Sequence, residues 1–337
     1  MLAQVFPPGT KVLVTGGTGY TGRVLVRKLV KLGCDVRVIA RPSSIRGDLE
    51  SLPIQWFEGD VFDEAVLKQA VRGVEYVFHV AAAFREAKIN DETYYNVHVK
   101  STKLLASAAL AESSFRRFVH ISTVGVHGHI DEPPANEEYR FAPGDIYQET
   151  KAEAELWIRE YARAHGLPLA VIRPAAIYGP EDRRLLKLFK MSSRAVFPLF
   201  GRSQGYYHLI HVEDLTDIFI TAALHNEALG EVFIAGNPEP TRLKDIAQII
   251  ATALDRRSPL FLRLPVWPLF LMASLCEIVC KPFGIEPPLY RRRVAFFTKD
   301  RAFDTDKLRA RLGYRYTYSV KDGLEATARW YRGVAWL

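Results

Sequence analysis

Short apolar runs alternate with helical periodicities through the first 125 residues. Lys11–Thr15 is an apolar run bounded by turn residues and reads as a buried strand. Gly19 to Leu32 places its apolar positions at helical spacing, and Asp35–Ala40 returns to a strand-like run. Ile54–Glu58 reads as a third strand, followed by a helix over Asp63–Arg72. Tyr76–Val80 reads as a fourth, then comes a long helix near Asp91–Glu112 and a fifth strand over Arg117–Ile121. A helix over Tyr147–His165 stops at Gly166 and leads into a strand over Leu169–Arg173. This rhythm predicts an α/β fold with a parallel sheet covered on both faces. Right-handed crossovers make such a sheet doubly wound. Beyond Gly179 the pattern loosens, although Glu231–Ala235 reads as a strand returning to the sheet. The predicted division is a sheet-bearing domain over 1–178, rejoined by 206–236, with a smaller interleaved lobe over 179–205 and 237–337.

Composition adds bounds. The 337 residues are 48% apolar, enough for a sizeable core. Three cysteines, Cys34, Cys276 and Cys280, give no disulfide framework and fit a reducing, cytoplasmic setting. Without a neighbouring His cluster, Cys276 and Cys280 read as packing residues, and no metal site is expected. The net charge of +7 is spread among acidic residues, so a solvated surface is expected rather than nucleic-acid binding. Met1 to Thr10 lacks a charged-then-apolar leader pattern. The apolar segment 260–283 is interrupted by Arg263, Pro265, Pro268, Glu277 and Lys281, too often for a spanning helix. It reads as a buried helix or pocket lid, the alternative being an interfacial helix that touches a membrane.

Chemistry enters at the first turn. Gly16-Gly-Thr-Gly19-Tyr-Thr-Gly22 lies between a strand and a helix, with G-x-x-G-x-x-G spacing. Glycines there permit positive φ and let N–H groups at the helix start meet a pyrophosphate. Thr18, Tyr20 and Thr21 complete the candidate dinucleotide-binding turn. The second strand should distinguish the cofactors, since a carboxylate at its end would meet the ribose hydroxyl of NAD. Here it ends in Arg41, whose fork of donors suits a 2′-phosphate. NADP(H) is therefore expected, with NAD(H) as the alternative. Asp60 and Val61 are placed for an adenine contact, and Ala81, Ala82 and Ala83 let backbone approach a ribose. His79 reads as a core histidine.

Tyr147 and Lys151 are four residues apart and share one helix face. A tyrosine titrates near ~10 in isolation, and an adjacent ammonium favours its phenolate. The pair can exchange a proton with a substrate hydroxyl while hydride moves to or from a nicotinamide. Strand five ends in Ser122-Thr123, at the edge where ligands gather in such sheets, and Thr123 is the better candidate to hold the substrate oxygen.

These motifs resemble the extended short-chain dehydrogenase/reductases of the epimerase/dehydratase superfamily. The resemblance spans Gly16–Gly22, Gly59-Asp60, His79–Ala82, Thr123 with Gly128, Tyr147/Lys151, Arg173–Pro180, His211–Leu215 and Phe303–Tyr314. It implies a Rossmann-type doubly wound sheet with a smaller C-terminal substrate lobe, and Thr123, Tyr147 and Lys151 as catalytic triad. It also implies cofactor contacts from Pro174 and Ile177. Nucleotide-sugar members usually carry an Asn where this chain has Ala176, and an Arg where it has Tyr207. Arg202 or Arg291–Arg293 are the residues left to compensate. His98-Val-Lys-Ser-Thr102 replaces the family's Asn-Val-x-Gly-Thr. Val36–Pro42 is similar to dihydroflavonol reductases, and 259–283 with 291–297 to 3β-hydroxysteroid dehydrogenases. The expected reaction is interconversion of a secondary alcohol and a ketone on a hydrophobic molecule, the alternative being nucleotide-sugar epimerisation or dehydration with bound NAD. A homodimer through 91–112 and 147–165 is the implied assembly.

Overall fold

The structure is a computed structural model that describes residues 5–83, 90–200, 205–280 and 301–337. Its first half runs β1 (Lys11–Thr15), α1 (Tyr20–Lys31), β2 (Asp35–Ala40), β3 (Ile54–Glu58), α2 (Glu64–Ala70) and β4 (Tyr76–His79). There follow α3 (Asp91–Tyr95), α4 (Ser101–Leu110), β5 (Arg117–Ile121), α5 (Ile146–His165), β6 (Leu169–Pro174) and β7 (Ala176–Tyr178). The rest comprises α6 (Leu186–Ser192), β8 (Val196–Phe200), β9 (Tyr206–Tyr207), β10 (Leu209–His211), α7 (Val212–Leu224) and β11 (Val232–Ala235). Last come β12 (Thr241–Arg242), α8 (Leu243–Ala253), β13 (Leu260–Leu264), α9 (Trp267–Cys280), α10 (Asp306–Leu312) and α11 (Val320–Gly333).

Seven strands form one parallel sheet in the order β11-β6-β5-β4-β1-β2-β3. β4, β5 and β6 are buried along their whole length. That fits a sheet covered on both faces, whose central strands need no polar side. Leu25 and Leu29 of α1, Phe219 of α7 and Leu308 of α10 pack on one face. Leu67 of α2, Leu105 of α4 and Ile158 of α5 pack on the other. A separate core joins Tyr178, Phe189, Ile246, Ile250, Leu324 and Tyr331 from β7, α6, α8 and α11.

Local signals account for the helix ends. Asp63 and Asp145 cap α2 and α5 by accepting backbone N–H bonds, and Gly166 ends α5 in the left-handed conformation. The helix expected over 91–112 is interrupted by a π turn over Asn96–Lys100 that joins α3 to α4.

The segment 260–283 departs from its expected form. It opens as β13, paired in parallel with β8, and continues as α9. α9 is not a buried helix, because Ala273 is its one buried residue. Residues 281–283 lie outside the described residues, as do Arg202 and Arg291–Arg293. No helix among the described residues is long and apolar enough to cross a membrane.

Candidate active site

The strand order reverses between β1 and β4, since β2 and β3 lie on one side and β5, β6 and β11 on the other. At such a switch point the strand-end loops diverge and leave a crevice. The two loops that flank it touch here. Gly16 has φ +70, and a Cβ on it would lie 2.7 Å from the Ala81 Cα. A Cβ on Gly22 would lie 2.1 Å from the Gly16 carbonyl oxygen, so the start of α1 folds directly onto the turn. Gly19 caps α1 without any side-chain hydrogen bond, and the first turn contains no carboxylate. The first N–H groups of α1 thus keep their positive end for an anion. These features fit a dinucleotide pyrophosphate.

The other residues expected at the cofactor differ in exposure and surroundings. Thr18 is half-buried, Thr21 is buried, and Asp60 and Val61 are half-buried in the turn after β3. Tyr20 faces away from the turn's glycines: its hydroxyl lies where a Cβ of Gly179 would be 2.8 Å distant, and the Arg184 guanidinium covers its ring at 4.9 Å. Burial pushes its phenol well above the ordinary range, so Tyr20 stays protonated. Arg41 is exposed just beyond β2 and makes no ion pair among the described residues. Arg46, by contrast, is held by Glu58 and lies 4.7 Å over the Trp56 ring. Pro174 ends β6, and Ile177 packs partly buried against the core beneath α1 and α7.

Lys151, on the buried face of α5, is 3% exposed. Its Nζ donates to the Ile121 carbonyl at 3.0 Å, with the Ala81 carbonyl at 3.5 Å. An ammonium has three donors, so one remains for a ligand in the crevice. Burial lowers its pKa to about 8, opposed by the Glu155 carboxylate. Tyr147 lies one helical turn earlier on the same face and is half-buried. Thr123 Oγ1 accepts from the Gly125 N–H at 3.0 Å, which leaves its own hydroxyl hydrogen for another acceptor. A Cβ on Gly125 would be 3.3 Å from Thr123 Oγ1 and 3.4 Å from Gln148 Cγ, so the threonine lies against the first turn of α5. Ser122 is buried, and its Oγ has no hydrogen-bond partner. Thr123, by contrast, is half-buried.

A buried layer of histidines holds this group in place. His98, in the π turn, meets the Tyr147 ring edge-on at a centroid distance of 5.4 Å. Its Nε2 accepts from the Ala83 N–H at 3.0 Å, which leaves Nδ1–H to donate to Thr150 Oγ1 at 2.8 Å. Burial, reinforced by the Lys151 charge, pushes its pKa down to about 2, so the ring is neutral. His79 links Thr15 and Thr102, with its pKa lowered to about 3 by burial and then by Lys151. Thr15 Oγ1 in turn accepts from the Ala81 N–H at 3.3 Å. The loop of Ala81 and Ala83 is thus pinned from β1, the π turn and α5 together.

The glycine turn, Thr123, Tyr147 and Lys151 are legible in sequence. The pairing of Glu155 with Arg173 is not, although both are fully buried and joined at 2.6 Å. Arg173 also donates to the Glu137 carbonyl at 2.7 Å and meets His127 Nε2 at 3.2 Å. The available signal is spacing: Tyr147, Lys151 and Glu155 recur every four residues, which sets a carboxylate on the core face of α5.

A parallel sheet with a glycine turn at its switch point, and an ammonium held between the ends of β4 and β5, is the arrangement of a dinucleotide-binding α/β enzyme. The profile of the NAD dependent epimerase/dehydratase family matches residues 12–236, and the chain belongs to that family. It is 28% identical to 3beta-hydroxysteroid-dehydrogenase/decarboxylase isoform 2 of Arabidopsis thaliana over 94% of this chain, spanning 61% of that protein. It is 27% identical to a dTDP-glucose 4,6-dehydratase of Streptomyces niveus, covering 96% of this chain and 93% of the other. Among solved structures, gox2253 superposes with a TM-score of 0.81 at 26% identity, covering 98% of this chain and 100% of that one.

Proposed function

We propose that the enzyme interconverts a secondary alcohol and a ketone on a hydrophobic, sterol-, terpenoid- or flavonoid-like molecule, with NADP(H) preferred over NAD(H). What supports the reading is Lys151 Nζ at the Ala81 and Ile121 carbonyls, with Tyr147 one turn earlier on the same face of α5 and Thr123 just beyond β5. When bound, the dinucleotide supplies or receives the hydride. Thr123 donates its hydroxyl hydrogen to the substrate oxygen and fixes its position. Tyr147 gives that oxygen a proton in reduction and takes it back in oxidation. Lys151, buried and cationic below pH about 8, favours the phenolate and offers its third N–H to a ribose hydroxyl. Neutral His98 supports the tyrosine ring without competing for the proton.

Two features favour an apolar substrate. Ala176 and Tyr207 stand where nucleotide-sugar members hold polar anchors for a diphosphate. The Arabidopsis relative is named for a 3β-hydroxysteroid. The preference for NADP(H) rests on Arg41, exposed and without an ion pair among the described residues. A second reading, a nucleotide-sugar dehydratase or epimerase that retains NAD, draws on the Streptomyces relative. The two separate by assay of the purified chain with NADPH, a panel of apolar ketones including a 3-ketosteroid, and dTDP- and UDP-sugars. Ketone-dependent NADPH oxidation is expected, and Tyr147→Phe should lower kcat at least ~100-fold with NADPH affinity nearly unchanged. Undiminished turnover by that variant would remove the tyrosine from its role. Conversion of nucleotide sugars alone, without net NADPH oxidation, would establish the second reading.

A further inference from the structure

Among the described residues, nothing covers the apolar side of α9. Trp267, Leu271, Met272, Leu275, Ile278 and Val279 are each between 53% and 69% exposed. At about 100° per residue, these six fall within one arc of about 140°. No charged or hydrogen-bonding side chain except the Trp267 indole lies in that arc. The helix's one charged residue, Glu277, falls on the opposite side, with buried Ala273. A surface helix of a soluble domain has the reverse arrangement. The strand just before it continues the pattern, since Leu260, Leu262 and Leu264 on one side of β13 are 68%, 46% and 36% exposed. An apolar surface of this extent marks an interaction site.

The charge around it selects the occupant. α6 and β8 with their connection carry Lys187, Lys190 and Arg194 and no acidic residue. The stretch from Arg256 to Cys280 carries Arg256, Arg257 and Arg263 against Glu277 alone. All six cations are exposed, and none has an ion-pair partner among the described residues. β8 and β13 are paired, with Leu260 N–H donating to the Ala195 carbonyl, so Arg194 and the Arg256–Arg257 pair share one end of this surface. A second copy docked by the same face would offer these cations no counter-charge, since that face carries no carboxylate. An anionic lipid surface would neutralise them. With 14 residues, α9 is about 21 Å long, short of the ~30 Å hydrocarbon core, so it suits the interface and not a span. Trp267 at its start is a side chain that favours the headgroup level.

We propose that the outer face of α9, with the exposed leucines of β13, docks the enzyme in the interface of an anionic phospholipid bilayer, aided by the exposed cations of α6 and of the segments that lead into β8 and β13. This stands apart from the catalytic reading and needs no turnover to be tested. The full chain is floated with phosphatidylcholine vesicles, with and without phosphatidylglycerol. Binding to the phosphatidylglycerol vesicles is expected, weaker by about fivefold for each cation reversed or removed, and reduced by added salt. Leu271→Gln with Ile278→Gln should lower vesicle binding at least ~100-fold while circular dichroism stays unchanged. Should that variant misfold, Arg256→Glu with Arg257→Glu tests the charge half alone. Absence of binding to either vesicle overturns the proposal. So does a concentration-dependent dimer that Leu271→Gln dissociates, which would assign the face to a second copy.

Discussion

At Lys151 the fold stabilises the reactive arrangement against its own preference. Two carbonyls accept from the ammonium, yet burial still lowers its pKa from 10.5 to about 8. The folded chain therefore binds fewer protons at this site than the unfolded chain between pH 8 and 10.5. Stability from this group rises with pH through that window, and below it the buried charge costs its full amount. Compared with Lys151→Met by urea unfolding, the native enzyme should gain roughly 3 kcal/mol between pH 8 and 10.5. A parallel pH dependence in the two proteins would show that the ammonium is solvated. The same group sets an alkaline limb, because kcat/KM for ketone reduction should fall as pH rises through about 8. Arg41 gives a prediction of another kind. It is exposed and makes no ion pair among the described residues, so its replacement should cost little stability. Arg41→Asp should shift the ratio of kcat/KM for NADPH over NADH at least ~10-fold towards NADH, since a bidentate phosphate contact becomes a repulsion. An unchanged ratio would place cofactor selection elsewhere in the crevice.

At the scale of elements, α5 and β6 are joined under the active site by Glu155 and Arg173, both without solvent contact. Glu155 also opposes the desolvation of Lys151, four residues earlier. It is a positioning residue. Glu155→Gln should destabilise the fold by about 3–5 kcal/mol, because Arg173 keeps a buried charge without its counter-ion. It should also move the alkaline limb of kcat/KM to lower pH, which a purely structural loss would not do. Elements of this kind show what the sequence makes legible. The strands, the glycine turn and the Tyr147/Lys151 face follow from periodicity and spacing, because each is set by neighbours along the chain. The partnership of Glu155 with Arg173 is not local, and a charged residue on a core face reads as surface until its partner is known. The π turn that aims His98 at Tyr147 and Ala83 is likewise invisible to a helical pattern, which has no marker for one inserted residue. α9 shows a third limit: periodicity reports that an apolar face exists, not what lies against it.

Across the whole molecule, the last described segment meets the sheet and its helices through the apolar packing of Leu308 and Leu312 and through a buried carboxylate. Asp214, in α7, is fully buried, and its Oδ1 accepts from the Tyr314 hydroxyl at 2.9 Å and the Thr317 N–H at 2.7 Å. Its Oδ2 accepts from the Tyr318 N–H at 3.1 Å. Burial and this carboxylate push the Tyr314 phenol far above its ordinary range, so it remains a donor. Tyr318 then stacks on His211 at 3.9 Å, and the Asn237 side-chain amide donates to the Tyr318 carbonyl at 3.1 Å. One side chain at the start of α7 thereby fixes the path of the chain from α10 to α11, whose Leu324 and Tyr331 complete the third core. The motif around Asp214 is recognisable in the sequence, but its purpose lies in residues about a hundred positions further on. Asp214→Asn removes the charge and turns an NH2 group toward donors, leaving at least one buried N–H unpaired. The expected loss is about 2–4 kcal/mol in urea unfolding. Amide exchange at Thr317 and Tyr318 should accelerate far more than in the strands of the sheet, because the defect is a local opening before it is a global one. If exchange instead rose equally in β4 and β5, the tether would belong to the cooperative core, and the α10–α11 connection would have no separate mode of opening.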